Sequence, residues 1–304
     1  MSATNLAQFD FGPIRTTEGG IDPFEICERL ERGHIVWFED AQFLLAEIDR
    51  DILMNLPVSC LDRKNLSFSP QSGTVRGIRG RQHQLAAEEQ MRRYSSKAIE
   101  FCSRILEPYR DSWRIDLTSF RPLEERARVL PQKQRNDLLH IDAYPKRPMH
   151  GARILRFFTN LNPSEDRVWL TGDPFHVLAE QAWFQDVVRA TARTSRAWWR
   201  SWLQEGLHRV GIPFPNRSTY DRAMLRIHDW MKNDSGFREK CRTVVRRFPP
   251  GSSWAVFTDA VPHAALEGRF ALEQSLAIPP KALLLPEVAP ATVMERLVGA
   301  ATTE

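Results

Sequence analysis

The stretch Leu139-His140-Ile141-Asp142 places a histidine and a carboxylate two positions apart. On an extended segment such residues point to the same side of the backbone, so both side chains can reach one ion. A second histidine follows far downstream in Pro262-His263-Ala264, after the apolar run 254–257 and a turn at 258–260. Two histidines and one carboxylate on one face of a metal are the ligand set of non-heme iron(II) oxygenases. We therefore predict that His140, Asp142 and His263 hold a metal ion.

The neighbours of this pair decide the expected fold, because a lone His-x-Asp pattern is common in proteins of every kind. Strand-like runs at 113–120 and 153–161 flank the pair, and His263 follows an apolar strand. This order is typical of a double-stranded β-helix of the jelly-roll or cupin kind, in which the metal ligands come from distant segments. A zinc hydrolase with the same three ligands is the main chemical alternative. It would need a general base beside the bound water, and the sequence contains no HExxH motif.

The pattern of apolar residues along the rest of the chain predicts an α+β protein with flanking helices and a helical insert. Helices are expected at 22–33, 43–54, 85–107, 176–209 and 217–241, strands at 34–38, 113–120, 153–161, 254–258 and 270–278, and a loop at 68–73. Strands and helices do not alternate as they do in a doubly wound parallel fold.

We divide the chain into an irregular segment at 1–20, a single oxygenase domain at 21–284 and a C-terminal tail at 285–304. Within the domain we expect a helical N-terminal part (21–110), a β-helix core (about 112–175 and 250–280) and a helical insert (about 176–245). The last fifteen residues are interpreted as a short helix or a loose tail. The sequence contains neither an apolar run long enough to span a membrane nor a secretory signal.

The charges and cysteines narrow the class of protein. The 304 residues carry 42 basic and 38 acidic side chains, and the arginines cluster. The two clusters are Arg76, Arg79, Arg81, Arg92 and Arg93, and Arg189, Arg193, Arg196 and Arg200. Such clusters suit an anionic partner or form a solvated helix face. The four cysteines are widely spaced, which indicates reduced thiols in a cytosolic protein.

Five segments together resemble the 3-deoxy-D-manno-oct-2-ulosonic acid (Kdo) hydroxylases of Gram-negative bacteria. They are TSFRP (118–122), RNDLLHIDA (135–143), RILRFFTNLNP (153–163), RVW (167–169) and ALEQS (271–275). The resemblance runs from about residue 20 to residue 280 and is far more specific than the His-x-Asp pair alone.

The resemblance implies a double-stranded β-helix that uses Fe(II) and consumes 2-oxoglutarate and O2. It implies hydroxylation of carbon 3 of Kdo attached to lipid A, which gives the sugar acid Ko, a modification of the lipopolysaccharide inner core. The metal triad of the family carries over to His140, Asp142 and His263, and no other catalytic residue is assigned. Kdo-lipid A and O2 would be the partners, without nucleic acid. The protein would be cytoplasmic, with or without a peripheral contact at the inner membrane.

The cosubstrate-binding residues are harder to assign. Many 2-oxoglutarate oxygenases place an arginine or lysine shortly after the distal histidine, where this chain has Glu273, Gln274 and Ser275. The cation must come from elsewhere, and we favour Arg156, which shares strand parity with Asn160. Further candidates for the cosubstrate site are Asn160, Arg153, Arg269, Gln274 and Ser275. For each arginine, a surface salt bridge is the alternative interpretation.

Basic residues near the metal motif are candidates for binding the anionic substrate: Arg121, Arg128, Arg135, Lys146 and Arg147. The segment RAWWRSWL (196–203) mixes tryptophan with arginine, so it suits a membrane interface or a helix that packs its tryptophans onto the barrel.

Two other functions fit the same residues. An oxygenase of this fold could act on a peptide or a nucleobase. A non-catalytic module could bind nucleic acid or carbohydrate through its arginine clusters, with an incidental His-x-Asp pair. No RRM, KH or zinc-finger signature supports that module.

Overall fold

The computed structural model describes residues 22–38, 44–124, 131–195 and 217–299. The α-helices are α1 (Pro23–Glu31), α2 (Glu47–Met54), α3 (Arg81–Ile105), α4 (Phe175–Leu178), α5 (Ala182–Ser195), α6 (Thr219–Asn233), α7 (Ser235–Lys240) and α8 (Pro290–Gly299). The strands are β1 (Val36–Phe38), β2 (Leu66–Ser69), β3 (Thr74–Arg76), β4 (Arg114–Arg121), β5 (Arg153–Asn160), β6 (Arg167–Gly172), β7 (Thr243–Phe248), β8 (Ser253–Phe257), β9 (His263–Glu267) and β10 (Ala271–Ile278). None of the helices in these ranges is both long and apolar enough to cross a membrane.

The long helix α3 covers one face of the larger sheet. Its buried side chains, among them Met91, Tyr94 and Ala98, recur every three or four residues, as one face of a helix requires. Polar contacts fix the helix on the sheet: the Ser95 hydroxyl donates to the side-chain oxygen of Gln274 at 2.8 Å. The helix therefore holds β10 from outside.

The larger sheet is antiparallel and has the strand order β1-β8-β5-β10-β4-β2-β3. At its centre β10 pairs with β5 over eight residues, from Ala271 opposite Asn160 to Ile278 opposite Arg153. Both strands are buried along their whole length. One face meets α3 and the other faces the interior, so polar residues on either face must find partners inside the protein.

The smaller sheet has the order β7-β6-β9, and a bridge between His140 and His263 adds the segment before Asp142 to its edge. Aromatic side chains join the two sheets. Phe158 of the larger sheet lies 4.8 Å from Trp169 of the smaller one, and Trp254 stacks on Phe248 at 3.9 Å. Two antiparallel sheets face each other across a shared interior, as in a double-stranded β-helix. The expected fold class is confirmed.

Most predicted elements are confirmed with shifted ends. Asp22 caps α1, since its carboxylate accepts a hydrogen bond from the Phe24 amide at 3.0 Å. The loop prediction at 68–73 is wrong at its start, because Phe68 and Ser69 belong to β2 and only the turn that follows is irregular. This turn closes a hairpin between β2 and β3 and ends at Gly73, whose φ of 68° suits glycine.

Five strands were not predicted: β2, β3, β6, β7 and β9. Strand β7 is exposed at alternate positions and β9 is only five residues long, so neither has a strong apolar pattern. The predicted helix at 176–209 is α4 followed by α5 up to Ser195, and the rest of it lies outside the described residues. The Trp–Arg segment 196–203 and residues 1–20 also lie outside them.

Helix α6 ties the segment between β6 and β7 to the metal motif. It begins with a capping box in which Ser218 and Asp221 exchange hydrogen bonds. The Asp221 carboxylate also accepts from the amides of Met149 and His150, at 2.7 and 3.1 Å. The loop after the metal motif is thereby anchored to α6. The division into N-terminal part, core, insert and tail stays a prediction.

Candidate metal centre and its pocket

The structure brings His140, Asp142 and His263 together in the interior between the sheets. One potential ligand atom of each lies within 4.8 Å of the others. His140 Nε2 is 3.9 Å from Asp142 Oδ1, and His263 Nε2 is 3.9 Å from Asp142 Oδ2. The two histidines exchange backbone hydrogen bonds of 3.1 and 2.8 Å, so strand pairing fixes their separation.

Backbone carbonyls orient both imidazole rings. The Nδ1 of His140 donates to the carbonyl of Leu138 at 2.6 Å, and the Nδ1 of His263 donates to the carbonyl of Val261 at 3.0 Å. The Nδ1 proton leaves the lone pair on Nε2, which is the atom that faces the site. Burial lowers the pKa of both histidines, so they are neutral at physiological pH, as metal ligands must be.

Asp142 remains ionised despite its burial. Burial alone would raise the pKa of this carboxyl, but the positive charge of Arg156 brings it well below its usual value. Arg156 Nε lies 3.0 Å from Asp142 Oδ2, but the two groups are not aligned for a hydrogen bond. Oδ2 therefore has no hydrogen-bond partner among the described residues. A buried carboxylate oxygen of this kind suits a metal ion. The donor set and its protonation states therefore fit Fe(II).

Glu273 organises the cations beside the triad. Its Oε1 lies 2.9 Å from Arg156 Nη1 and accepts from the Ser275 hydroxyl at 2.9 Å, while its Oε2 accepts from Arg121. Burial acts to raise the pKa of Glu273, but the two arginines lower it overall. The tyrosine hydroxyl of Tyr144 accepts a further bond from Arg156 at 3.1 Å. Glu273 thus holds two arginines in fixed positions within the interior.

A cavity that is open to solvent lies against the triad and the two arginines. It is lined by Lys64, Asn65, Arg121, Asn136, His140, Asp142, Arg156, Phe158, Arg167, Trp169, His263 and Ala265. Four of these side chains are cationic, so the pocket is built for anionic ligands.

Of the predicted cosubstrate residues, the structure places Arg156 in this pocket and Ser275 beside it through Glu273. Arg153 is on the opposite face of β5, where its Nε lies 2.7 Å from Asp259 and its guanidinium covers Phe257. Its assignment to the cosubstrate site is therefore corrected, because odd and even positions of a strand face opposite ways.

Three other cosubstrate candidates are also engaged elsewhere. Gln274 faces α3 and accepts hydrogen bonds from Ser95 and Thr118. Asn160, at the end of β5, donates to the backbone carbonyls of Glu165 and Phe248, at 2.9 and 3.0 Å. Arg269 covers the ring of Phe270. None of the three lines the cavity, so their assignment is corrected too.

Among the predicted substrate residues that the structure describes, Arg121 alone lines the cavity. Arg135 pairs with Asp137, Arg147 pairs with Asp116, and Lys146 is exposed at the surface. Arg128 lies outside the described residues. The structure adds Lys64, Asn65, Asn136 and Arg167, of which Asn136 and Arg167 stood in segments that the sequence had singled out.

Two further side chains pack against the histidines of the triad. The Nδ1 of His228 on α6 donates to the carbonyl of Ile141 at 2.7 Å, and its ring meets His140 edge to face at 5.0 Å. Trp169 stacks on His263 with the ring centroids 5.1 Å apart. Both contacts restrict the rings and backbone that hold the metal.

Comparisons with known proteins agree with this geometry. The sequence profile of the 3-deoxy-D-manno-oct-2-ulosonic acid (Kdo) hydroxylase family matches residues 21–301. The crystal structure of the Kdo hydroxylase KdoO, a non-heme Fe(II) alphaketoglutarate-dependent dioxygenase, in complex with cobalt(II), is similar, with a TM-score of 0.80, 31% identity and 95% coverage of each chain. No curated protein sequence matches this chain significantly.

A second KdoO structure, in complex with alphaketoglutarate and Fe(III), has a TM-score of 0.79 and 30% identity, and covers 95% of this chain and 96% of that one. The family match spans almost all of the described domain, including both metal-binding segments. The chain belongs to the Kdo hydroxylase family.

Proposed function

We propose that this chain is an Fe(II)- and 2-oxoglutarate-dependent dioxygenase that hydroxylates Kdo. The observation that carries the proposal is the buried His140–Asp142–His263 triad inside a cavity walled by cations, in a chain of this family. The reaction converts 2-oxoglutarate, O2 and a sugar C–H bond into succinate, carbon dioxide and a sugar C–OH group. When bound, the iron supplies the activation of O2, and no other group of the protein needs to react.

In this proposal Arg156 binds the distal carboxylate of 2-oxoglutarate. A metal ion bound to Asp142 would neutralise part of the negative charge of that carboxylate. Arg156 would then lose one of its two acidic partners and could bind another anion. Glu273 and Tyr144 keep the guanidinium in place meanwhile. Two parallel hydrogen bonds from a fixed guanidinium to a carboxylate are both strong and specific.

The charge of the cavity also suits a sugar acid. Lys64, Arg121, Arg156 and Arg167 carry four positive charges, against the negative charges of Asp142 and Glu273. Fe(II) adds two positive charges and 2-oxoglutarate brings two negative ones. A net positive charge therefore remains to attract the carboxylate of Kdo, and Arg121 and Arg167 line the cavity in which it would bind.

The remaining residues exclude water and hold the site rigid. Phe158, Trp169 and Trp254 fill the interior next to the triad. A dry and rigid environment protects reactive intermediates from side reactions. We propose carbon 3 of Kdo as the hydroxylated position and Kdo-lipid A as the acceptor, acted on in the cytoplasm at the inner-membrane surface.

The test is an assay of the purified protein with Fe(II), 2-oxoglutarate and Kdo-lipid A, followed by mass spectrometry of the released sugar. We expect a gain of one oxygen atom on Kdo, located at carbon 3 by fragmentation, with succinate formed in equal amount. Peptide and nucleobase substrates serve as comparison arms. Oxygen transfer to one of these, with none to Kdo, would contradict the proposed substrate.

A further inference from the structure

A group of arginines on the hairpin β2–β3 and its extensions is not used by the proposed reaction. We call Arg63, Arg76, Arg79 and Arg81 the hairpin patch. All four are exposed. None forms an ion pair or a side-chain hydrogen bond with any residue in the described part of the chain. Asp62 is the acidic residue within this stretch, so the patch keeps a net charge of about three.

Backbone pairing brings these four residues together. The segment before β2 runs antiparallel to the segment after β3: Leu61 bridges Ile78, and the Arg79 amide donates to the Cys60 carbonyl at 2.7 Å. Gly77 makes the close approach possible, because a Cβ there would lie 2.6 Å from the Asn65 carbonyl oxygen. Arg63 and Arg79 therefore lie on adjacent strands of one ribbon. Arg81 follows directly as the first residue of α3.

Exposed aliphatic side chains accompany the charges. Val58, just before the ribbon, is 55% exposed, and Leu85, one helical turn after Arg81 and on the same helix face, is 47% exposed. Basic and aliphatic side chains on one surface are the combination that binds an anionic lipid surface. Binding of single-stranded nucleic acid relies instead on exposed aromatic rings. Among the residues that the structure describes, the large exposed apolar side chains at the patch are aliphatic and include no aromatic ring.

The patch is continuous with the metal cavity. Lys64 and Asn65, which line the cavity, directly follow Arg63 in the chain. A membrane bound at the patch would therefore lie beside the entrance through which a lipid-linked sugar reaches the triad.

We propose that the hairpin patch docks this protein onto an anionic lipid surface and thereby presents membrane-embedded substrate to the cavity. The arginines contact headgroup phosphates, and Val58 and Leu85 enter the interface between headgroups and acyl chains. This inference rests on the proposed function for the identity of the sugar but not for the surface itself.

The test is co-sedimentation of the full chain with vesicles of phosphatidylcholine containing about one third phosphatidylglycerol, compared with phosphatidylcholine alone. The triple variant R76Q/R79Q/R81Q removes three charges of the patch. We expect it to bind anionic vesicles about 100-fold more weakly, given about 1 kcal/mol for each basic residue near the surface. The matched control R29Q/R104Q/R110Q removes three exposed arginines that have acidic partners elsewhere, and should bind as the wild type does.

Activity separates this inference from the proposed function. With a water-soluble Kdo glycoside, the triple variant should turn over as fast as the wild type. With Kdo-lipid A in anionic vesicles, it should be slower in proportion to its weaker binding. Three results would each overturn the docking surface and leave the proposed function intact. In the first, the triple variant binds anionic vesicles as tightly as the wild type does. In the second, the wild type binds neutral vesicles as tightly as anionic ones. In the third, the wild type binds single-stranded RNA and does not bind vesicles.

Discussion

Glu273 Oε1 lies 2.9 Å from Arg156 Nη1 on the neighbouring strand, in the interior of the protein. In many 2-oxoglutarate oxygenases a cation follows the distal histidine, and here the corresponding stretch supplies an anion. The anion positions cations that other strands carry: Arg156 comes from β5 and Arg121 from β4. In the proposed cosubstrate site, the positive charge is thus supplied by a different set of strands.

Replacing Glu273 by Gln should raise the KM for 2-oxoglutarate about tenfold, because Arg156 loses the carboxylate with which it forms an ion pair and Arg121 loses a charge-assisted hydrogen bond worth about 1.5–3 kcal/mol. The effect on kcat should be smaller, since the metal ligands are untouched. Steady-state kinetics measure both constants. Glu47→Gln, an exposed glutamate on α2, is the control and should leave both unchanged. An unaltered KM in the Glu273 variant would show that Glu273 does not position the cosubstrate cation.

The same residue makes stability depend on pH in a definite direction. The pKa of Glu273 is lower in the folded protein than its ordinary value of about 4.3. The ionised form therefore stabilises the fold above that value, and this contribution disappears as the pH falls through the folded-state pKa. For the metal-free protein, the difference in free energy of unfolding between wild type and Glu273→Gln should be constant from pH 7 to about 5 and shrink below about 4. Urea titrations at several pH values measure it, and a difference that grows in acid would be inconsistent with this ion-pair arrangement.

The two arginines of β5 should behave differently. Arg156→Gln should raise the KM for 2-oxoglutarate about 100-fold, since a bidentate charged contact is lost. Arg153→Gln should leave that KM close to the wild-type value but lower the free energy of unfolding by about 3–5 kcal/mol, because it leaves the buried carboxylate of Asp259 unpaired. Kinetics and denaturant unfolding of both variants are the measurements. If Arg153→Gln showed the larger KM, the strand face assigned to the cosubstrate would be wrong.

His228 should influence metal affinity without being a ligand. His228→Phe keeps a ring against His140 but removes the hydrogen bond to Ile141, which lies between two metal ligands. We expect the Kd for Co(II) to rise about 10- to 100-fold, the usual effect of losing a partner just outside the metal ligands. His228→Gln, which retains a donor, should recover part of the affinity. His83→Phe controls for loss of a histidine far from the triad; equal affinities in all variants would exclude a positioning role.

The triad could be predicted because each of its members stands in a recognisable local pattern of the sequence. Two ligands stand two residues apart, and the third follows an apolar strand. Strand parity also placed Arg156 on one side of β5 together with Asn160, but it could not tell which side faces the interior. The same reasoning failed for Gln274 and Arg153, because β5 and β10 are buried on both faces and polar residues on either face look alike in the sequence.

Other parts of the site depend on pairing between distant segments. Lys64 and Asn65 reach the cavity because β2 pairs with β4, more than forty residues downstream. Arg167 does so because β6 pairs with β9, which is short and irregular in register. His228 approaches Ile141 from a helix whose sequence predicts only an amphipathic surface. No local pattern encodes such contacts, since they arise from tertiary packing.

We propose that His140, Asp142 and His263 hold the iron that transfers oxygen to Kdo. The most direct test of this role follows isotopically labelled O2 in the reaction with Fe(II), 2-oxoglutarate and Kdo-lipid A. The wild type should place one labelled atom in succinate and one in the released Kdo, and Asp142→Ala with iron re-supplied should label neither. Labelled Kdo formed by the Asp142 variant, or label absent from Kdo formed by the wild type, would contradict this account.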